Sequence, residues 1–151
     1  MTSIRDLIGS LSDKLTQDNI AVGSVYMLRL DKTNGITPKN GDTFRDKFFV
    51  VLGFNEDRVV VGGLVINSNI NKNLPPTVTD YYLPISAERC PFLKHDSFVN
   101  CSKLIVANKD KFTRSTYCGE ITDSSFLESI YNTVKESPTV SNKQLKMFGI
   151  E

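Results

Sequence analysis

The segment RDKFFVVLGFNEDRVVVGGLVINSN, residues 45–69, decides the fold. Its first apolar run, Phe48 to Leu52, is unbroken and rich in aromatic and β-branched residues, which predicts a strand buried on both faces. FNED at 54–57 supplies turn residues, and 58–66 is a second β-branched run broken by Gly62 and Gly63. Paired glycines inside a strand predict a bulge or sharp bend, which a small barrel needs where a strand passes between sheet layers.

Upstream, GSVYMLRLD at 23–31 alternates Tyr26, Leu28 and Leu30 with Val25, Met27 and Arg29, the period of a strand with one more apolar face. A polar stretch, 32–44, separates it from the segment above. Loops of this length without structure are uncommon except near sites, so it reads as a mobile flap over a groove or as a plain hairpin connection. A second polar loop covers 67–76, and further strands are predicted at 80–86 and 97–106. Ile4, Leu7, Ile8, Leu11 and Leu15 recur at helical spacing behind Ser3 as a cap, predicting an amphipathic helix over 1–18 that packs on the sheet or on a second subunit. A later helix begins at Thr122, with Asp123 near its positive end and Phe126, Leu127, Ile130, Tyr131 and Val134 facing inward, and Pro138 ends it. A short last helix is predicted over 141–147. Short strands with flanking helices and no regular alternation give an α+β barrel of about five to seven strands.

The 151 residues, 40% hydrophobic with nine Phe, suit one domain: an N-terminal helix (1–18), a barrel with its terminal helix (23–137) and a C-terminal extension (138–151). Eighteen basic and 17 acidic side chains leave a net charge of +1, so any nucleic-acid contact must be local to a cleft. No stretch approaches a membrane-spanning length and the N-terminus lacks a signal-peptide centre, so a cytoplasmic protein with no membrane partner is expected. Cys90, Cys101 and Cys118 are an odd number, which fits reduced thiols. With His95 they supply zinc-type ligands without close Cys-x2-Cys pairs, so buried thiols, no metal and no cofactor are expected.

The order of these patterns resembles the MazF/PemK toxin family. Residues 23–31 resemble its first strand, 47–53 its second, Asn67-Ser68 a Thr-Ser pair, 93–103 its Lys-Asp-Ser stretch, and 121–128 its terminal helix. The resemblance implies an SH3-like barrel that cleaves single-stranded RNA without a metal, dimerises with itself, and is held inactive by an antitoxin protein. It also points to Lys47 at the family's arginine position, with Arg45 two residues away; Asn100 and Ser102 depart from an Arg and an Asp that flank the later Cys in some members.

Such cleavage is attack of a 2′-hydroxyl on the adjacent phosphorus, and it needs a proton acceptor, a proton donor and cations for the phosphorane. Lys47 and Arg45 are the candidates for charge stabilisation, Ser68 and Asn67 for hydrogen bonds to phosphate oxygens, and His95, the only imidazole, for proton transfer with Asp46 or Asp96 beside it. Lys32 and Lys39 would contact RNA from the loop. Tyr82 would stack a base, although the pair Tyr81-Tyr82 also fits one ring in the core and one across a strand. The alternative function is an inactive barrel that binds nucleic acid or protein.

Overall fold

The computed structural model describes residues 3–38 and 41–150. Helix α1 (Ile4–Asp18) precedes strand β1 (Ser24–Leu30); a 3-10 turn (Lys32–Asn34) leads toward β2 (Arg45–Phe54) and β3 (Val60–Asn67). A four-residue helix α2 (Pro76–Thr79), β4 (Tyr82–Ile85), β5 (Ser97–Asn100), β6 (Ile105–Asn108) and β7 (Tyr117–Glu120) follow, and α3 (Ser124–Glu136) and α4 (Asn142–Met147) end the chain. The fold is α+β, with one antiparallel sheet in the order β4-β5-β3-β2-β1-β7 and β6 also paired with β3. Among the described residues β4 and β7 are not paired to each other, so the sheet stays open where the sequence predicted closure.

Two positions make the sheet turn. One edge of β3 is held by β6 over Val60–Gly63 and by β5 at Ile66 and Asn67, so the strand changes partners halfway. On its other edge the register with β2 slips between Val51 and Gly53, so the inserted residue is Leu52 on β2, opposite the glycine pair rather than within it. The Tyr131 hydroxyl donates to the Leu52 carbonyl inside that bulge at 2.7 Å, satisfying a group that the slip takes out of the ladder.

The predicted two-sided burial of β2 has a concrete form. Phe49 and Val51 join Tyr26, Leu28, Leu30, Val65 and Phe112 in one core, while Val50 and Leu52 join Val25, Leu64, Val99, Ile130 and Val134 in another. Each such aliphatic side chain contributes roughly 1.5–3 kcal/mol by leaving water. The cap of α3 is Asp123, one residue after the predicted Thr122, and its carboxylate accepts from the Ser125 and Phe126 amides. The predicted strand over 97–106 is two strands, separated by a turn at Cys101–Lys103 that lets the chain cross from the second half of β3 to the first.

Candidate functional site

On β2 the pleat places residues 45, 47 and 49 on one face. Phe49 is fully buried there, but two and four residues earlier the same face carries Lys47 and Arg45. Across the ladder β3 makes the same change, from buried Val65 to Asn67. The apolar floor therefore ends in a cationic and amide-rich cleft of about 570 Å³. Lys47 Nζ donates to Asn67 Oδ1 at 2.7 Å, and the Asn67 side chain also hydrogen-bonds Tyr82. Burial pushes the Tyr82 phenol above its ordinary range, and the Asn67 bond opposes that rise. Tyr82 lies opposite Asn100, whose Oδ1 accepts from the Ser102 amide at 3.0 Å and from its hydroxyl at 2.5 Å.

The walls come from distant parts of the chain. Gly35, Ile36 and Thr37 form one, Lys103 in the turn between β5 and β6 another, and Thr139 and Gln144 reach in from the C-terminal segment. The first half of the loop expected to be a flap is anchored: Asn34 donates to the Val106 carbonyl at 2.8 Å and Ile36 is buried. Gly35 holds φ +106°, a left-handed conformation that caps the 3-10 turn.

Arg45, Lys47 and Lys103 line this cleft, and its described lining holds no carboxylate, imidazole or thiol. That combination favours an anion with several acceptor oxygens, and it offers no ligand set for a divalent cation. A larger cavity of about 710 Å³ lies beside β4 and the start of α3, but its charged side chains already have protein partners. There Arg89 pairs with Asp123 at 3.1 Å, and Asp96 accepts from the Ala87 amide at 2.9 Å.

Of the predicted site residues, the cleft gathers Lys47, Arg45, Asn67 and Tyr82. Ser68 follows β3, exposed and outside the lining; His95 is an exposed residue before β5, its Nδ1 3.0 Å from the Asp96 carbonyl oxygen. Phe98 stands opposite Asn67, so His95 lies three residues, about 10 Å of strand, beyond the level of the cleft. Asp46 projects from the other face of β2 and pairs with Arg29 at 3.3 Å. Lys32 is exposed outside the lining, and Lys39 lies outside the described residues. Lys103, Thr139 and Gln144 are among the polar lining residues that sequence reading did not select, and Asn100 and Ser102, noted there only as departures from the family pattern, line it as well. A turn signal at Cys101–Lys103 would have exposed Lys103, but the strand appeared continuous.

Cys90 and Cys101 are buried and Cys118 half-buried; burial raises all three thiols, Cys101 to about 12. Among the described residues no three His, Cys, Asp or Glu side chains converge as a metal group, and no helix is long and apolar enough to cross a membrane.

No family model and no curated protein matches the chain. Among solved structures, an "Endoribonuclease from Mycobacterial species" aligns over 87% of this chain and 92% of that chain, at 15% identity and a TM-score of 0.46.

Proposed function

We propose that the cleft takes the backbone of single-stranded RNA and cleaves it without a metal, by 2′-hydroxyl attack on the adjacent phosphorus. The observation that carries this reading is the convergence of Arg45, Lys47 and Lys103 around one cleft whose described lining has no carboxylate. Arg45 and Lys47 would hold the nonbridging oxygens as charge accumulates on the phosphorane. The Lys103 ammonium or Tyr82 phenol would protonate the departing 5′-oxygen. In this reading the 2′-hydroxyl proton passes to a phosphate oxygen or to solvent, since His95, Asp46 and Asp96 lie elsewhere. The attack forms a 2′,3′-cyclic phosphate and frees a 5′-hydroxyl, so atoms balance without a co-reactant. The resemblance to MazF/PemK adds an antitoxin, whose segment would occupy the same cleft, and a toxic effect on growth.

The lack of a conventional base in the described lining favours a second reading, an RNA-binding module that does not cut. Incubation of purified protein with mixed-sequence RNA in EDTA separates the two. The first reading expects ends bearing cyclic phosphate, loss of cutting when the 2′-hydroxyl is replaced by hydrogen, and a fall of about 10²–10³ in rate for Lys47→Ala or Arg45→Ala. Binding that weakens on adding salt and in both variants, with the RNA left intact, establishes the module instead. Neither cutting nor binding by folded protein refutes both.

A further inference from the structure

The apolar stripe of α1 is turned away from the protein. Ile4, Leu7, Ile8, Leu11 and Leu15 are 53–77% exposed, whereas the half-buried positions of the helix are the polar Ser12, Asp13, Thr16 and Gln17. At 100° per residue the centre of these four points nearly opposite the centre of the stripe, with Ser12 at the stripe's margin. Gln17 Nε2 donates to the Asp110 carbonyl at 3.5 Å, and a side chain added at Gly9 would meet nothing within 4 Å. The first two turns therefore project as an arm whose greasy side faces solvent. The sequence predicted packing on the sheet or on a second subunit, and the structure excludes the sheet.

We propose that this stripe is a self-association surface that pairs with α1 of a second copy of the chain. Ile4, Ile8, Leu11 and Leu15 follow the 4-3-4 spacing of a two-stranded seam. In an antiparallel pair, Ile4 packs over Leu15 of the other copy and Ile8 over its Leu11, so all four layers are apolar and self-complementary. The flanking pairs are then Arg5 with Ser12 and Leu7 with the aliphatic stem of Lys14, so no like charges meet, while Asp6 and Asp13 stay on the outside. An anionic membrane fits worse, because the helix carries three Asp against one Arg and one Lys.

Fifteen residues span about 22 Å, a seam well below the area of a standard stable interface. The dimer is accordingly weak and concentration-dependent. Sedimentation velocity of the full chain, from low-micromolar to near-millimolar protein, should show the mass rising from 16.9 kDa toward twice that value. Ile8→Glu with Leu11→Glu should hold the protein at one chain with an unchanged melting midpoint, since neither side chain is buried. Leu11→Lys should do the same, and Ser10→Glu, off the stripe, should leave association intact. A parent that stays monomeric over the whole range overturns the proposal. So does a dimer that survives the stripe variants, a dimer lost equally in Ser10→Glu, or a monomer captured by vesicles of anionic lipid.

Discussion

Cys101 shows how much one buried atom constrains solution behaviour. Its side chain is fully buried, and loss of hydration raises the thiol from an ordinary 9.0 to about 12, because the thiolate has nothing to replace its water. The folded state therefore keeps a proton that the unfolded chain gives up first. Below about pH 9 both states are protonated and the stabilisation is fully present; as pH climbs toward 12 the unfolded state binds fewer protons and stability falls. Denaturant midpoints of the parent should decline across that alkaline window. Cys90, Cys118 and three tyrosines shift in the same direction, so the difference between parent and Cys101→Ala isolates this thiol. The variant should lie lower at neutral pH, from the cavity it leaves, and should decline less steeply with alkali. Parallel curves would show that Cys101 ionises as easily folded as unfolded.

At the scale of elements, legibility followed local pattern. Alternation in β1 and the apolar run in β2 read correctly because burial there is imposed residue by residue along one strand. The caps of the helices read to within a residue for the same reason, Ser3 as predicted and Asp123 for Thr122. What stayed hidden depends on partners: the division of 97–106 into β5 and β6 arises because β3 is shared between them, and no residue in SFVNCSKLIV forbids an extended chain. The loop after β1 was half legible. Its Asn34 is buried and bonds both the Val106 carbonyl and the Asp31 amide, so it fastens the wall carrying Gly35, Ile36 and Thr37. Asn34→Ala should cost about 1 kcal/mol by removing two hydrogen bonds to part-buried backbone groups. It should also speed amide exchange over 31–37 while sparing α3. Equal acceleration in both regions would mean that the wall has no local stability of its own.

Over the whole molecule, the C-terminal segment is structural rather than an appendage. Val140, Leu145, Phe148 and Ile150 are buried in the α3-side core, and the same segment sends Thr139 and Gln144 to the cleft, with the Thr139 hydroxyl donating to the Ser102 carbonyl. The seat for Phe148 is made by absent side chains. A Cβ at Gly62 would come within 2.6 Å of the Phe148 ring, and one at Gly53 would collide with its carbonyl. The glycines that signalled a bend thus also admit an aromatic from the far end of the sequence, a contact that no local pattern encodes. Gly62→Ala alone should destabilise by about 1–3 kcal/mol through overpacking. Phe148→Ala alone should cost about 3–5 kcal/mol as a vacated core site. With Phe148 removed, the methyl at position 62 meets no ring and partly refills the space, so the double variant should be more stable than the two penalties added. The cycle should show a coupling of about 0.5–3 kcal/mol, the range for residues in direct contact. Strict additivity, measured by denaturant unfolding of all four proteins, would mean that Phe148 does not occupy the glycine seat in solution, and the Thr139–Gln144 wall of the cleft would lose its anchor with it.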